Sequence, residues 1–283
     1  SLPDDEERDI FLMPDWINKL VESGRTGQKA KAGFYKKEGK EIKVLDPDTL
    51  EYREQEKIRI DSLGAAKKVE DAGARLKLLV NADDRAGQFA WKVTSKWLAY
   101  AARRLGEIAD DMVNIDRGMR WGFNWELGPF EVWDAIGVPE SVERMTKEGT
   151  EVPKWVMDML DTGQKTFYSG TESDKKYFDM SSKKPVSMPR DPQHIHLAAL
   201  HEDKKNIIKE NAGASLVDLG DGCLCFEVHT KMNTIDADVV AMLGDALDEA
   251  EKNYAALVIA NDGDHFCAGA NLMLVVTAAK QGQ

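Results

Sequence analysis

A segment of eleven residues occurs twice in this chain, and it constrains the fold more than any other feature. Pro14 to Gly24 read "PDWINKLVESG", and Pro153 to Gly163 read "PKWVMDMLDTG". Proline, tryptophan and glycine keep their spacing, and a Phe-Tyr pair follows each copy, although the second copy reaches its pair six residues sooner. Proline at the start and glycine at the end predict a short helix in each copy. We therefore expect one structural unit to occur twice.

The stretch between the two copies is predicted to be mostly helical. Asp111 is expected to cap a helix that stops at Gly122, and Pro129 to lie in the first turn of the next helix. Before them, from Arg85 onwards, large residues recur at steps of three to five and predict one apolar face of a long helix. These residues are Phe89, Val93, Trp97, Tyr100 and Leu105. Upstream, "KEIKVLDPDTLEY" predicts a hairpin with its turn at Asp46-Pro47-Asp48.

Length and charge exclude some classes of protein. A chain of 283 residues with 42% hydrophobic and 31% charged residues is typical of a globular protein of about two domains. The formal net charge of −12 argues against a nucleic-acid surface, but not against a small anion held by local amides or lysines. No apolar run approaches the roughly 20 residues of a membrane span, and no secretory signal is visible. Because the chain begins with Ser1, it is expected to be cut from a longer protein.

The three cysteines form no CxxC pair, and two of them alternate along "CLCFEV". Buried free thiols in a reducing cytoplasm are the simplest interpretation, so we expect a cytoplasmic protein. Residues 181–210 begin with "SSKKPVSMPRDPQ", which carries three prolines and no periodicity and predicts a linker. His194, His196 and His201 lie close together there, but no cysteine or carboxylate pattern accompanies them, and no metal site is predicted.

From Ala212 onwards the pattern is that of an α/β domain. Two apolar runs split by Gly-Asp-Gly predict a hairpin, and "AALVIAND" predicts a buried strand. Between them lies an amphipathic helix whose apolar side is expected to carry Val239, Val240, Leu243 and Leu247. Strand, strand, helix, strand and the start of a helix are the opening of an α/β fold.

The turn after the last strand reads "HFCAGANL", His265 to Leu272. A strand, a turn of small residues and a helix start present unpaired backbone N–H groups, which can bind a phosphate or stabilise the oxyanion of a thioester. Gly269 would permit an unusual backbone angle, while Ala268 and Ala270 leave room for a ligand. The alternative is a tight strand-to-helix connection without a ligand.

"HFCAGANL", with "KMNTI" (Lys231 to Ile235) ahead of it, resembles the first half of a crotonase-fold enoyl-CoA hydratase/isomerase domain. The match covers about residues 211–283. In that family the "F-x-A-G-A-D-L" loop supplies one oxyanion N–H, a role that corresponds to Ala268. The resemblance also implies a set of residues that bind the CoA substrate: Lys231, Met232, Phe266, Ala268, Gly269, Ala270 and Asn271. The family's aspartate is Asn271 here, which puts in question any contact that needs its charge.

Residues 1–180 carry a second resemblance. "IDRGMRWGFNWELGPFEVWDAIG" (Ile115 to Gly137) resembles the C-terminal helical domain of 3-hydroxyacyl-CoA dehydrogenases, and "KAGFYKK" (Lys31 to Lys37) resembles the segment that closes one copy of it. Two copies imply tandem domains ahead of the hydratase part, an order that resembles fused bacterial and archaeal proteins.

The expected fold is mainly α, with tandem dehydrogenase C-terminal-like domains, plus an incomplete α/β crotonase-like domain. The implied divisions are the end of a first dehydrogenase domain with a hairpin extension (1–60), a second such domain (61–180), a linker (181–210) and the N-terminal part of a hydratase domain (211–283).

Catalytic parts of both enzymes are missing from the sequence. No GxGxxG follows a strand, so the NAD site of the parent enzyme is expected outside this chain. The family's helix-borne asparagine corresponds to Trp91 in "GQFAWK", which indicates a non-catalytic duplicate. The second oxyanion amide and the two catalytic glutamates of the hydratase are expected beyond Gln283. Glu227, Glu249 and Glu251 are interpreted as solvated charges or hairpin pairs.

We therefore expect the central part of a bifunctional enzyme of fatty-acid β-oxidation. The parent would hydrate trans-2-enoyl-CoA and oxidise 3-hydroxyacyl-CoA with NAD, while this chain alone would do neither. The resemblance implies an acyl-CoA substrate, no metal, a homo-oligomer and a thiolase as a candidate partner, with no nucleic acid or membrane span. The alternative is a non-enzymatic helical scaffold that carries a degenerate CoA-binding half-domain.

Overall fold

The structure is a computed structural model that describes residues 5–56, 58–191, 193–263, 265–272, 276–277 and 280. The chain divides into two compact units, Ser1–Asp61 and Ser62–Gln283. This division falls one residue after the predicted boundary at residue 60. The other predicted domain boundaries lie inside the second unit and stay predictions.

The first unit contains the first copy of the repeat. Helix α1 begins after Pro14, and Gly24 follows it in the left-handed region at φ +74°, as the spacing predicts. The predicted hairpin turn is confirmed, because the Asp46 carboxylate accepts the N–H groups of Asp48 and Thr49 at 3.0 and 3.1 Å. The helix and the three antiparallel strands, which pair in chain order, are α1 (Asp15–Glu22), β1 (Tyr35–Glu38), β2 (Glu41–Leu45) and β3 (Tyr52–Arg53).

The second unit opens with a helical part, as predicted. The predicted cap is confirmed, since the Asp111 carboxylate accepts the Asn114 N–H at 2.8 Å. That helix ends one residue past Gly122, and Asn124 follows in the left-handed region at φ +55°. The helices are α2 (Asp61–Ala66), α3 (Ala72–Val80), α4 (Arg85–Arg104), α5 (Met112–Phe123), α6 (Pro129–Ile136), α7 (Val138–Lys147) and α8 (Lys154–Asp161).

The long helix α4 buries only part of the apolar face that the spacing predicts. Phe89 and Val93 are 70% and 52% exposed, whereas Trp91 is buried. The buried face is rich in small residues because the chain approaches it closely: a Cβ on Gly87 would lie 2.0 Å from the Ala82 carbonyl oxygen. The prediction was wrong for Phe89 and Val93, whereas Leu105 is buried and Trp97 packs against the core. Hydrophobic spacing does not show which of two apolar faces allows the closer approach.

The second copy of the repeat has the same structure as the first. Helix α8 begins after Pro153, and Gly163 follows it at φ +87°. Three antiparallel strands again pair in chain order: β4 (Tyr168–Ser169), β5 (Lys176–Asp179) and β6 (Lys184–Ser187). The predicted repeat is therefore confirmed as a helix, an aromatic pair and a three-stranded sheet.

The predicted linker, residues 181–210, contains regular structure at both ends. Strand β6 pairs with β5, and Pro185 lies on this outer strand of the sheet, where a missing N–H is tolerated. A short helix α9 (Leu197–Leu200) and strand β7 (Ile207–Glu210) follow. Pro185 therefore belongs to an edge strand and not to a linker. The part of the predicted linker between β6 and α9 has no regular structure in its described residues.

The α/β part has the predicted order of strand, strand, helix and strand, and the predicted start of a further helix lies almost entirely outside the described residues. The last strand, predicted to be buried, was predicted wrongly, because it lies at the edge of the sheet with Val258 and Ile259 exposed. Asp221 and Gly222 take left-handed φ values of +51° and +74° in the hairpin turn between β8 and β9. The sheet has the order β10-β9-β8-β7, and β10 runs parallel to β9 after the crossover helix. Its elements are β8 (Ala214–Gly220), β9 (Cys223–Val228), α10 (Ala237–Asn253) and β10 (Ala256–Ile259).

Helix α10 buries only part of its predicted apolar side. Val239 is buried with Met242 and Ala246, whereas Val240 and Leu247 are exposed, so the predicted face is displaced around the helix. The crossover geometry decides this, because the sheet covers one narrow stripe of the helix. Of the thiols, Cys225 is buried and burial raises its pKa to about 11, while Cys267 is exposed.

Candidate functional site

Two segments that are distant in sequence form the predicted ligand site: residues 231–235 and 265–271, called here the paired loops. The Ile235 N–H donates to the Gly269 carbonyl at 2.9 Å, and the Asn271 N–H donates to the Ile235 carbonyl at 3.0 Å. The loops therefore run side by side like two short parallel strands, with Ile235 opposite Ala270. All residues predicted to bind CoA lie on these two loops.

Two asparagine side chains hold the second of the paired loops in place. The Asn261 carbonyl oxygen accepts the Val228 N–H at 2.7 Å, while its amide donates to the Phe266 carbonyl at 2.8 Å. The Asn233 amide donates to the His265 carbonyl at 2.6 Å. These residues were not predicted, although an asparagine shortly after an apolar strand is a signal that could have indicated Asn261.

The first of the paired loops has an unusual backbone. Met232 and Asn233 both lie in the left-handed region, at φ +56° and +51°. Non-glycine residues seldom adopt this conformation, and such strain concentrates at ligand sites. Gly269 on the second loop, at φ +91°, has the freedom that the sequence predicts.

The amide predicted to stabilise an oxyanion is already bonded. The Ala268 N–H donates to the Met232 carbonyl at 3.1 Å. A thioester oxygen at this position would have to displace that carbonyl first. Around it the loops are open to solvent, and the side chains of Met232, Phe266 and Ala270 are exposed.

Lys231 supplies a positive charge at the edge of the paired loops. Its ammonium group lies 2.7 Å from the Glu70 carboxylate, with both side chains well exposed. This pairing raises the pKa of Lys231 and lowers that of Glu70, chiefly through the hydrogen bond between them. An anionic ligand would compete with Glu70 for this lysine.

A second polar pair lies in the α/β part. His201 Nε2 is 2.5 Å from Glu227 Oε2 and joins the end of α9 to strand β9. The interpretation of Glu227 as a solvated charge or hairpin pair was wrong, because its side chain is largely buried against His201. The sequence pattern could not predict this pair, because the two residues are 26 positions apart. Within the described ranges, no three histidine, cysteine or acidic side chains are placed to hold a metal ion.

Trp91, which the sequence resemblance predicts at the position of the dehydrogenase asparagine, is buried. Its indole N–H donates to the Glu148 carboxylate at 2.5 Å, and the Arg144 guanidinium lies over its ring, 4.1 Å from the centroid. Arg144 is fixed in turn by the Val80 carbonyl at 2.9 Å. The indole, the cation and the carboxylate therefore bind one another, and the non-catalytic duplicate stays a prediction.

The second Phe-Tyr pair occupies an enclosed structural site, called here the anchor site. The Phe167 ring is fully buried and contacts the rings of Phe130, Trp133 and Trp155, with centroids 5.1, 5.3 and 5.7 Å away. Aromatic rings at these distances and tilts pack favourably. The large apolar ring of Phe167 is therefore packed between aromatic residues of helices α6 and α8.

Two carboxylates complete the anchor site. Asp134 accepts the N–H groups of Phe167 and Tyr168 at 2.7 and 2.8 Å. Asp116 accepts the Tyr168 hydroxyl at 2.7 Å and the Phe130 N–H at 2.9 Å. Burial raises the pKa of each carboxyl group from 3.8 to about 7, and burial also raises the pKa of Tyr168.

Gly128 allows this arrangement. A Cβ at that position would lie 2.4 Å from the Cα of Asp116, so only glycine fits between α5 and the start of α6.

None of the helices in the described part of the chain is long and apolar enough to cross a membrane.

The chain is similar in sequence to three bacterial proteins whose names refer to 3-hydroxyacyl-CoA dehydrogenase or fatty acid oxidation. The chain is 46% identical over 273 residues, 96% of its length, to a probable 3-hydroxyacyl-CoA dehydrogenase of Bacillus subtilis. It is 24% and 25% identical, over 100% and 98% of its length, to putative fatty acid oxidation complex trifunctional enzymes of Rickettsia felis and Rickettsia prowazekii. No protein-family model matches the chain, and no solved structure does. The chain spans about a third of the length of these relatives, 34% of the Bacillus subtilis protein.

Proposed function

We propose that this chain is the central part of a bifunctional enzyme of fatty-acid β-oxidation, which joins a 3-hydroxyacyl-CoA dehydrogenase to an enoyl-CoA hydratase. The observation that carries the proposal is the 46% identity, over almost the whole chain, to a protein named as a probable 3-hydroxyacyl-CoA dehydrogenase. The greater length of that relative supports a longer parent. We place the parent in the cytoplasm, as a homo-oligomer with a thiolase as a candidate partner.

The residues of this chain do not fit NAD, so no hydride-transfer step is assigned to them. A dinucleotide site needs a glycine-rich turn between a strand and a helix, and the sequence contains no GxGxxG. The position of the dehydrogenase asparagine is closed by Trp91 and Glu148. In the proposed parent, NAD binds to another part of the protein.

In this proposal the paired loops bind the CoA part of an acyl-CoA. The exposed residues 265–270 and the positive charge of Lys231 lie on the same pair of loops, and a phosphate group favours a nearby exposed cation. The Ala268 N–H is the proposed donor to the thioester oxygen, once the Met232 carbonyl has moved away. Hydration needs a second amide and two acid–base residues as well, and none is assigned in this chain.

Calorimetric titration of the 283-residue chain with CoA tests the binding proposal. We expect saturable binding that weakens several-fold when Lys231→Ala removes the cation, and that tightens when Glu70→Gln frees Lys231. Lys252→Ala, an exposed lysine in the last turn of α10, is the matched control and should leave the affinity unchanged. Crotonyl-CoA should bind no more than a few-fold more tightly than CoA, because its thioester oxygen must first displace the Met232 carbonyl from the Ala268 N–H.

Turnover assays test the catalytic side. The purified chain should neither hydrate crotonyl-CoA nor oxidise 3-hydroxybutyryl-CoA in the presence of NAD. Clear hydratase turnover would show that the acid–base residues lie within these 283 residues and would overturn the assignment.

A non-enzymatic scaffold with a degenerate CoA-binding half-domain is the second candidate. It is favoured by one observation, that Trp91 closes the position of the dehydrogenase asparagine. Absence of CoA binding in the calorimetric titration would favour this candidate over the enzymatic one.

A further inference from the structure

The Phe-Tyr pair of the first copy lies on an open surface. Phe34 is 52% exposed and Tyr35 is 61% exposed, whereas Phe167 of the second copy is completely buried. A cavity of about 750 Å³ opens beside Phe34, and its lining includes Lys31, Lys37 and Ile42. An apolar surface of this kind, rimmed by charge, is typical of a site that binds another protein segment.

The first copy already contains half of an anchor site. The Trp16 and Phe34 rings lie 5.7 Å apart at an interplanar angle of 55°. The equivalent rings of the second copy, Trp155 and Phe167, lie 5.7 Å apart at 59°. The helix and the aromatic pair therefore keep the same local arrangement, whether or not other helices cover them.

The backbone N–H groups of Phe34 and Tyr35 show which group of the second anchor site has no counterpart in the first copy. The Leu45 N–H donates to the Phe34 carbonyl at 2.9 Å, as the Phe178 N–H donates to the Phe167 carbonyl at 2.8 Å. In an antiparallel pair this bond directs the next N–H, that of Tyr35, away from strand β2. For the Phe34 N–H, no acceptor is found in the described part of the first unit. In the second copy the equivalent donors bond to Asp134.

We propose that this surface docks a helix of the same type as α6. The partner helix carries two aromatic residues three positions apart, followed by an aspartate, as Phe130, Trp133 and Asp134 do. Its aromatic side chains cover Phe34, and its carboxylate accepts the N–H groups of Phe34 and Tyr35. Lys31 and Lys37 at the rim complement the acidic character of such a helix.

The partner helix belongs to a separate helical domain of the same kind as α3–α6. The α6 helix of this chain cannot serve, because its Asp134 and its aromatic residues are engaged with Phe167 and Tyr168. The inference depends on the internal repeat alone and not on the proposed enzymatic activity.

A fluorescein-labelled peptide of residues 111–137, which contains α5 and α6, is the probe. Its helical content is established first by circular dichroism, with a lactam bridge added on its exposed face if it is unfolded. We expect saturable binding to the 283-residue chain by fluorescence anisotropy. Phe34→Ala in the chain, or Asp134→Leu in the peptide, should weaken binding by about tenfold or more.

Phe89→Ala is the matched control, because Phe89 is an exposed phenylalanine on α4. It should leave the affinity unchanged. A helical peptide that fails to bind at millimolar concentration would overturn the proposal. Equal effects of Phe34→Ala and Phe89→Ala would overturn it too, since the peptide would then be binding elsewhere, for example by displacing α6 from the second unit.

Discussion

The two copies of the repeat show how much of a shared local sequence survives a change of surroundings. Both have a helix after proline, a glycine at positive φ, a tryptophan against a phenylalanine and three antiparallel strands. They differ in what covers the Phe-Tyr pair: helices and two carboxylates in the second copy, an open cavity in the first. Local structure is therefore set within each copy, while burial depends on the helices supplied around it.

The largest expected difference between the copies is in the stability lost when the phenylalanine of the Phe-Tyr pair is removed. Phe167→Ala should lower the free energy of unfolding of the second unit by about 3–5 kcal/mol, because it leaves a cavity among three aromatic rings. Phe34→Ala should cost about 0.5 kcal/mol or less, since its ring is half exposed. Urea denaturation followed by tryptophan fluorescence measures both. Equal costs would contradict the view that only one copy is enclosed.

The next effect concerns the carboxylate that binds the pair. Asp134→Asn should cost about 1–3 kcal/mol of unfolding free energy, because an amide offers one acceptor oxygen to two N–H donors. Asp15→Asn, an exposed aspartate in the first turn of α1, is the control and should have little effect. An unchanged urea midpoint for Asp134→Asn would show that the two hydrogen bonds contribute no net stability.

A smaller effect is expected from the hydroxyl group. Tyr168→Phe should cost on the order of 1–2 kcal/mol, since it leaves one Asp116 oxygen without the hydroxyl donor. Tyr35→Phe, at the same position of the first copy, should be neutral because that side chain is exposed. Thermal unfolding of the two variants, made side by side, measures the difference. A loss at Tyr35 as large as that at Tyr168 would remove the contrast between the copies.

The last prediction is a pH dependence. Burial raises the pKa of Asp116 and Asp134 from 3.8 to about 7, so the folded chain holds these protons more tightly than the unfolded chain does. Their contribution to stability is complete below about pH 4 and is lost as the pH rises through about 7. Urea midpoints between pH 4.5 and 8 measure this slope. Asp134→Asn should reduce it, and a slope unchanged by that variant would assign the effect to other groups.

Features that depend on adjacent residues could be predicted from the sequence. Pro14, Pro153, Asp111 and the Asp46 turn form their structures with neighbours a few residues away. The repeat was visible for the same reason. For the candidate site, resemblance placed the residues predicted to bind a ligand on two loops, and the structure brings those loops side by side.

Features that depend on distant residues could not be predicted. The inward face of α4 follows the close approach at Gly87, and hydrophobic spacing wrongly assigned Phe89 and Val93 to that face. The contact of Glu227 with His201 and the bond between the Ala268 N–H and the Met232 carbonyl join segments that are 26 and 36 residues apart. No local pattern carries that information.

The sequence by itself determined the two repeat units, the helix caps and the hairpin turns, because these rest on backbone preferences and short-range hydrogen bonds. Tertiary structure alone decided which apolar faces are buried, since burial requires a second surface at close range. Tertiary structure also decided how two residues of the same type differ in their hydrogen bonds and burial. Asp134 has a raised pKa and two backbone donors because α6 buries it against the second repeat, while Asp15 lies exposed at the start of α1.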